Sequence, residues 1–227
     1  MIEITRESDV FILRMTADEN RFNPEMLAAF DSALSQVEEA DGTAAVITGE
    51  GKFFSNGLDL EWMGANPSGI GEVVNGLQAL YGRLLSFPTT VVAAMNGHAF
   101  AGGGMLALAC DRRVMREDRG FFCLPEVDIN IPFSEGMSAL VQAKLSPQTA
   151  HEVMLTGRRY GGEDAVRAGI VDLAVAEGSV LPEAVGSAGS LSKKNRDTVR
   201  AIKATMYSGP LDLLSRTVDL SGLDGAE

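Results

Sequence analysis

The sequence NGHAFAGGGMLALACD, residues 96–111, is the stretch around which the rest of the chain is organised. A strand-like apolar run, residues 91–95, precedes it, three consecutive glycines occupy positions 102–104, and an apolar helical run follows from Met105. A strand, a glycine turn and a helix expose backbone N–H groups that lack helical partners, and the helix dipole favours negative charge there. The stretch therefore indicates an anion or oxyanion site. The alternative is a tight crossover that needs small residues only for packing.

Length and composition are those of an ordinary globular chain and exclude several classes of function. The 227 residues are 45% hydrophobic and 22% charged, which predicts a domain with a large core. The net charge of −12 argues against a nucleic-acid-binding protein, which would carry a basic face. The apolar runs are too short to span a membrane, and the acidic N-terminal segment does not resemble a signal peptide, so the cytoplasm is the expected compartment. The two cysteines and two histidines are too scattered for a zinc site.

Strand and helix patterns alternate along most of the chain, which predicts an α/β domain followed by a helical appendage. Residues 64–71, rich in Gly, Pro and Ser, are interpreted as a surface connector, in preference to a mobile wall beside a ligand. The tail from Gly209 is weakly patterned. Predicted strands cover residues 2–5, 10–15, 44–48, 89–95, 112–115, 120–123 and 170–175, and the longer predicted helices cover 24–40, 73–87, 134–145, 147–155, 180–191 and 192–206.

Two loops, residues 53–59 and 98–104, each follow a short apolar strand of what we expect to be one sheet. Because ligands collect at the carboxyl ends of such strands, each loop could give one backbone N–H to the same oxygen, which is the minimum for an oxyanion hole. A third loop carries Glu126, and apolar surroundings there would raise the pKa of its carboxyl and make it a candidate base. A loop glutamate is more often a surface residue, however. Asp128 is the alternative acid, and Asp59 is better interpreted as a helix cap.

Two other interpretations of the central stretch are disfavoured. Residues 102–107 fit the dinucleotide-binding pattern G-x-G-x-x-A, but the βαβ unit with an acidic strand end about 20 residues later is not seen. His98 has no identifiable serine or cysteine partner, so a catalytic triad is not predicted.

These stretches, in this order, resemble the crotonase superfamily of enoyl-CoA hydratases and isomerases. Residues 54–60, FSNGLDL, are similar to the family's first oxyanion-hole loop, residues 96–104 with Cys110-Asp111 to the second, and residues 155–172 to its LTG…A…GLVD segment. The resemblance implies an α/β fold with a (ββα)n spiral core over residues 1–175. A short C-terminal helical region, residues 176–227, would serve in oligomerisation or as a lid. Within the family, the chain looks most like the Δ3,Δ2-enoyl-CoA isomerases.

The resemblance assigns each functional residue of the family to a position in this sequence. The two oxyanion N–H groups fall on Leu58 and Gly102, and the glutamate of the family's P-E segment falls on Glu126. Hydratases carry another glutamate three positions beyond the second oxyanion glycine, and here that position is Met105, which can neither position nor activate water. The substrate-binding positions implied by the resemblance are Ser55, Asn56, Gly57, Asp59, Leu60, Gly103 and Met105.

One carboxylate with an oxyanion hole is the set of groups expected for a double-bond isomerase that converts 3-enoyl-CoA to trans-2-enoyl-CoA. The resemblance implies an acyl-CoA thioester substrate, no metal, no cofactor beyond the CoA of the substrate, and a homotrimer or dimer of trimers. Neither nucleic acid nor a membrane is an expected partner. Two alternatives stay open: another crotonase-type enzyme (hydratase, hydrolase or decarboxylase) and a non-catalytic CoA-binding subunit.

The densest group of basic residues lies near the C-terminal end, in the basic cluster of Lys193, Lys194, Arg196, Arg200 and Lys203. We interpret this cluster as a solvated helix face, in preference to a site for CoA phosphates. Lys52 and Arg21 are the other candidates for contacts with the phosphates.

Overall fold

The computed structural model describes residues 1–218, in which strands and helices alternate as the sequence predicts. Within this range, no helix is long and apolar enough to cross a membrane. The strands are β1 (Ile2–Glu7), β2 (Val10–Met15), β3 (Ala44–Gly49), β4 (Phe53–Ser55), β5 (Val91–Met95), β6 (His98–Phe100), β7 (Arg112–Arg116), β8 (Phe122–Cys123) and β9 (Leu173–Val175). The helices are α1 (Pro24–Glu39), α2 (Leu60–Ala65), α3 (Ile70–Leu85), α4 (Gly102–Ala109), α5 (Glu135–Lys144), α6 (Pro147–Thr156), α7 (Gly162–Arg167), α8 (Glu177–Gly189), α9 (Arg196–Met206) and α10 (Ser208–Leu214).

The strands form two sheets that the chain visits in turn. The larger sheet has the order β1-β2-β3-β5-β7-β9, and the smaller has the order β4-β6-β8. Strands β1 and β2 pair antiparallel, and the other neighbours in both sheets pair parallel. From β3 to α7, each turn of the chain adds one strand to the larger sheet, one to the smaller sheet and then a helical segment, and β9 then adds a further strand to the larger sheet. The predicted (ββα)n spiral core is therefore confirmed.

The central strands of the larger sheet are buried on both faces. β3, AAVITG, and β5, VVAAM, have no exposed residue, as expected for parallel strands covered on both sides. One face packs into the main core, and the other packs against α8 through Val180, Ala184 and Ala188. The smaller sheet lies beside the N-terminus of α4, and its three loops lead towards the candidate site.

One local prediction is wrong. The expected connector, residues 64–71, is instead the end of α2, a 3-10 turn at Pro67–Gly69 and the start of α3. Gly69 is needed for close packing, since a Cβ there would lie 2.6 Å from the Trp62 ring. The weakly patterned tail contains helix α10, as expected for a C-terminal helical region, and its Leu214 is buried while its Leu211 packs against the core. Tertiary packing thus supports a helix that is too short to form alone.

Candidate active site

The two loops predicted to supply the oxyanion donors meet at one edge of the smaller sheet. β4 and β6 are parallel neighbours, with Ser55 opposite Ala99, so the segments after them leave the sheet side by side. Gly57 has a φ of 81°, and a Cβ there would lie 2.9 Å from the Ala101 Cβ and 3.2 Å from the Gly102 nitrogen. The left-handed backbone and the close approach both require glycine at position 57.

The first donor loop is held by the backbone of Phe22. The Phe22 N–H donates to the Gly57 carbonyl at 2.8 Å, and the Phe22 carbonyl accepts from the Asp59 N–H at 2.9 Å. Because N–H and C=O of a trans peptide point in opposite directions, the bond at the Gly57 carbonyl turns the Leu58 N–H away from Phe22. Within residues 1–218 the Leu58 N–H donates no hydrogen bond, so it is available to a ligand.

The second donor is the first residue of α4. The Gly102 N–H shares a peptide group with the Ala101 carbonyl, which accepts from the Met105 N–H at 3.1 Å. This bond directs the Gly102 N–H out of the helix N-terminus, where the dipole favours negative charge. In the described part of the chain, this N–H also donates no hydrogen bond. Ala101 itself has φ 47° and ψ −122°, a strained backbone of the kind that clusters at functional sites.

Both loops line an apolar cavity of about 250 Å³, and Arg21 and Glu126 are its charged lining residues. Such a cavity suits a ligand with an apolar chain next to a polar group. The predicted site residues that line it are Asn56, Leu58, Leu60, Gly102, Met105 and Glu126. The other lining residues are Arg21, Leu77, Phe100, Ala101, Pro125, Ile129, Ile131, Pro132, Phe133 and Met137.

Glu126 follows β8 and is only 6% exposed. Its loop is fixed by bonds from the Asp128 N–H to the Pro125 carbonyl at 2.9 Å and from the Ile131 N–H to the Glu126 carbonyl at 3.0 Å. Within residues 1–218 its Oε2 atom is buried and has no hydrogen-bond partner. Burial disfavours the charged form and raises the pKa of Glu126 to about 7, so the carboxyl can take and return a proton near neutral pH.

Met105 projects from the first turn of α4 into the same cavity and is 3% exposed. Its thioether can neither donate nor abstract a proton, and its flexible apolar side chain fills space that water would occupy. Glu126 is therefore left without a second carboxyl among the cavity-lining residues.

Four residues predicted to bind substrate do not line the cavity and instead support its wall: Ser55, Gly57, Asp59 and Gly103. The Ser55 hydroxyl donates to the Asn20 carbonyl at 2.7 Å. Gly103 lets the Ser55 carbonyl approach so closely that a Cβ at position 103 would lie 2.3 Å from it. Asp59 accepts a backbone N–H of α2 at 3.0 Å, which confirms the prediction that it caps a helix.

The alternative acid, Asp128, lies outside the cavity lining. It packs against Gly157, where an added Cβ would lie 2.1 Å from its Oδ2 atom. His98 also lies outside the lining, and aromatic rings surround it, the nearest being Phe100 at 4.8 Å between centroids. Among the described residues, no group of three or more His, Cys, Asp or Glu side chains is arranged to hold a metal ion.

The basic cluster is not simply a solvated face. Arg196 donates to the Glu38 carbonyl at 2.6 Å, Arg200 pairs with the Glu38 carboxylate at 3.1 Å, and Lys203 pairs with Asp111 at 2.7 Å. Three of the five predicted members therefore tie α9 to the core. The interpretation as a solvated face is wrong for Lys203, which is 8% exposed, whereas Arg200 is exposed and Arg196 is half-buried.

Of the other two basic candidates, Arg21 alone lines the cavity. Glu19 bonds both the Asn56 amide and the Arg21 guanidinium at 2.6 Å, and these contacts lower the pKa of the Glu19 carboxyl. Arg21 and Asn56 are thereby held together at the cavity. Lys52 instead lies over the Phe53 ring, 5.2 Å from its centroid.

The sequence did not identify the contribution of α3. Leu77 lines the cavity, and Tyr81, one turn later, donates its hydroxyl to the Gly102 carbonyl at 2.7 Å. Helical spacing puts these two residues on one face, but it does not say which loop that face meets. Phe133 and Met137 near the start of α5 were missed for the same reason.

Comparisons with known proteins agree with the resemblance in the motifs. A family described as enoyl-CoA hydratase/isomerase matches residues 6–219. Enoyl-CoA delta isomerase 3 of Arabidopsis thaliana is 38% identical over 97% of this chain and 96% of its own length. Peroxisomal enoyl-CoA delta isomerase 2 of the same plant is 36% identical over 91% of this chain and 92% of its own length. A solved enoyl-CoA isomerase structure from Mycobacterium tuberculosis has a TM-score of 0.89 at 26% identity, with 98% of both chains covered. The chain therefore belongs to the enoyl-CoA hydratase/isomerase family, the crotonase superfamily that its motifs resemble.

Proposed function

We propose that the chain is an acyl-CoA double-bond isomerase that converts 3-enoyl-CoA to trans-2-enoyl-CoA. The observation that carries the proposal is the pairing of Glu126 and Met105 in one apolar cavity. Isomerisation moves one proton within the substrate and needs one base. Hydration in this family uses a second glutamate to handle water, and methionine stands at that position here.

The thioester oxygen accepts two hydrogen bonds, from the Leu58 N–H and the Gly102 N–H. Both groups are without partners in residues 1–218, and the loops that carry them are in contact. When the α-proton leaves, negative charge develops on this oxygen, and fixed donors stabilise the enolate more than the ground state. The loss of one such donor typically lowers the rate by about 10²–10³-fold.

Glu126 removes a proton from C2 of the 3-enoyl thioester, and the electron pair spreads through the C3=C4 bond to give a dienolate. The protonated Glu126 then returns the same proton to C4, which leaves the double bond between C2 and C3. The reaction consumes no water and needs no oxidant. Burial supports this role because a carboxyl with a pKa of about 7 is ionised in part near neutral pH and holds the proton well enough to deliver it.

The substrate in this proposal is a CoA thioester, and no cofactor is required beyond that CoA. We further propose that the chain works in the cytoplasm as a homotrimer or a dimer of trimers. Its C-terminal helical region, residues 176–227, would contribute to assembly or to a lid. The last nine residues, 219–227, lie outside the described residues. Sedimentation of the full chain tests the trimer directly.

The test of the reaction is turnover of 3-hexenoyl-CoA by the wild type and by Glu126→Gln, which keeps the size of the side chain but cannot accept the proton. We expect kcat to fall by about 10²–10⁴-fold. Asp128→Asn is the matched control, because Asp128 is the neighbouring acid outside the cavity lining, and it should keep wild-type activity. Wild-type activity in Glu126→Gln would refute the assignment.

A product survey separates isomerisation from the alternatives. The wild type is incubated with crotonyl-CoA and with 3-hexenoyl-CoA. The products are separated by chromatography against authentic standards, because the two hexenoyl-CoA isomers have the same mass, and the other products are identified by mass spectrometry. We expect 2-hexenoyl-CoA as the main product. A 3-hydroxyacyl-CoA as the main product would identify a hydratase, and free CoA would identify a hydrolase. Tight acyl-CoA binding without any turnover would identify a non-catalytic subunit.

A further inference from the structure

The hydroxyl of Tyr81 holds the residue that carries the second oxyanion donor. Tyr81 lies on α3 and is fully buried, and its O–H donates to the Gly102 carbonyl at 2.7 Å. The Gly102 N–H is on the other side of the same residue and, within residues 1–218, is left for a ligand. The hydrogen bond from Tyr81 therefore restrains Gly102 itself, and it comes from a side chain that does not line the cavity.

Packing adds to this contact. A Cβ built on Gly102 would lie 3.0 Å from the Leu77 side chain and 3.1 Å from the Tyr81 hydroxyl oxygen. Glycine has more backbone freedom than any other residue, so a glycine that carries a donor needs its surroundings to fix its direction. Two side chains of α3, one turn apart, close the space into which Gly102 could rotate.

The residue before Gly102 makes this restraint necessary. Ala101 has φ 47° and ψ −122°, a region that alanine rarely adopts. The strained turn is held by the Ala101 N–H, which donates to the Cys123 carbonyl at 3.0 Å, and by the Ala101 carbonyl, which accepts from Met105. Those bonds fix the backbone before Gly102, and the bond from Tyr81 fixes the backbone after it.

Tyr81 can serve as a permanent donor. Burial raises its pKa well above 10, and the charge of Glu126 raises it further. The hydroxyl therefore stays protonated whether Glu126 is charged or neutral. Its single hydrogen remains directed at a carbonyl oxygen, which can only accept.

We propose that Tyr81 is a positioning residue for the reaction: its hydroxyl holds Gly102 so that the Gly102 N–H points at the thioester oxygen. The inference rests on the proposed function, because it assumes that this N–H serves an acyl-CoA. It assigns a role in catalysis to a residue of α3 that does not line the cavity and does not touch the substrate.

The first measurement compares kcat and KM of the wild type and Tyr81→Phe with 3-hexenoyl-CoA. We expect kcat to fall by about 10-fold while KM stays within about twofold, because a misaimed donor weakens the transition state more than the ground state. Tyr160→Phe is the matched control. Tyr160 is also buried, and among the described residues its hydroxyl has no hydrogen-bond partner, so its removal should leave both constants unchanged.

The second measurement does not depend on turnover. Infrared difference spectra of a bound saturated acyl-CoA, labelled with ¹³C at the thioester carbonyl, report how strongly the two donors polarise the bond. We expect a shift to lower frequency in the wild type and Tyr160→Phe, and a smaller shift in Tyr81→Phe. If Tyr81→Phe does not fold, 3-fluorotyrosine at position 81 keeps the shape and strengthens the donor, and the shift should then grow.

The outcomes separate the inference from the function on which it rests. A wild type that shifts the carbonyl but does not isomerise 3-hexenoyl-CoA would refute the proposed function. It would leave the positioning role in place if the shift depends on Tyr81. An active wild type with the same kcat and the same carbonyl shift as Tyr81→Phe would overturn the positioning role. A loss of kcat with an unchanged shift would overturn it as well.

Discussion

Gly57 and Gly102 lie in contact across the two donor loops: a Cβ on Gly57 would be 3.2 Å from the Gly102 nitrogen. The φ of Gly57 is 81°, so glycine is needed there for conformation as well as for space. The two N–H donors can therefore lie close together because position 57 has no side chain. Any side chain at position 57 must push the loops apart or turn the Leu58 peptide.

We predict that Gly57→Ala lowers kcat/KM by about 10²–10³-fold, the usual effect of losing an oxyanion donor. The strained backbone should also lower the free energy of unfolding by about 1–3 kcal/mol. Gly64→Ala is the matched control, because nothing lies within 4 Å of a Cβ built at that helical position. The control should keep full activity. Near-wild-type kcat/KM in Gly57→Ala would contradict the paired-donor geometry.

The raised pKa of Glu126 predicts the pH dependence of the reaction. The base must be ionised to take the C2 proton, and burial raises its pKa to about 7. We therefore expect kcat/KM to fall tenfold per unit of pH below about pH 7 and to level off above it. A profile that is flat down to about pH 5 would show that the pKa of the base is not raised to about 7.

The variant His98→Gln tests whether the pH dependence of kcat/KM comes from a nearby histidine and not from Glu126. The pKa of His98 is lowered from 6.5, first by burial and then by the charges of Lys52, Arg159 and Arg119. Because His98 does not line the cavity, the pH profile of this variant should match the wild type.

Because burial raises the pKa of Glu126, ionising its carboxyl at neutral pH lowers the free energy of unfolding. The folded state binds the Glu126 proton more tightly than the unfolded state does. Its contribution to stability is therefore present below about pH 4.5 and is lost progressively as the pH rises to about 7. Glu126→Gln stays neutral, so at about pH 8 it should be more stable than the wild type by about 2–3 kcal/mol.

Urea denaturation at two pH values checks this prediction. The advantage of Glu126→Gln should shrink on acidification and vanish below about pH 4.5. Glu3→Gln, at an exposed position of β1, is the control and should change stability by less than about 0.5 kcal/mol at either pH. A Glu126→Gln variant that is no more stable than the wild type at about pH 8 would show that the carboxyl is not destabilised by burial.

Much of this site could be predicted from local sequence, because strand–glycine–helix patterns report which backbone N–H groups lack partners. This pattern indicates the loops at residues 53–59 and 98–104, whereas the roles of Leu58, Gly102 and Glu126 are implied by the family resemblance. Their convergence could be predicted because parallel strands bring the loops that follow them to one edge. The (ββα)n repeat rests on the family resemblance, since no internal repeat is visible in the sequence.

The contacts that aim the donors could not be predicted. Phe22 precedes Leu58 by a helix and two strands, and Tyr81 lies on a helix whose apolar face could meet several loops. Helical periodicity finds a buried face but not its partner. The resemblance also places Asp59 and Ser55 in the substrate site, and their side chains bond to the backbone.

Met105 provides a test of why this chain should isomerise and not hydrate. We predict that Met105→Glu gains hydration of crotonyl-CoA by about 10²-fold over the wild type, because a second carboxyl can then activate water. The buried site, 3% exposed, should make this variant less stable by about 2–4 kcal/mol. Met105→Gln is the control of similar size and should gain no hydration. A folded Met105→Glu without hydration would show that methionine is not what prevents the reaction.

The ion pair between Lys203 and Asp111 predicts a structural role for the most buried member of the basic cluster. Lys203 is 8% exposed, and its ammonium group lies 2.7 Å from the Asp111 carboxylate and 3.1 Å from the Thr89 carbonyl. Removing one partner of a buried pair leaves the other charge uncompensated, although here the Val91 N–H still bonds Asp111 at 2.8 Å. We therefore expect Lys203→Met to lower the free energy of unfolding by about 2–3 kcal/mol.

The KM of Lys203→Met for acyl-CoA distinguishes a structural role of Lys203 from a role in CoA binding. If Lys203 serves to hold α9 against the larger sheet, Lys203→Met should keep the wild-type KM for acyl-CoA at a temperature where it is fully folded. Lys194→Met is the matched control, since Lys194 is an exposed member of the same cluster and forms none of the described ion pairs. It should change stability by less than about 0.5 kcal/mol. A KM that rises about tenfold in Lys203→Met, with stability unchanged, would mean that its ammonium group contacts the CoA phosphates and that the pair with Asp111 is dispensable.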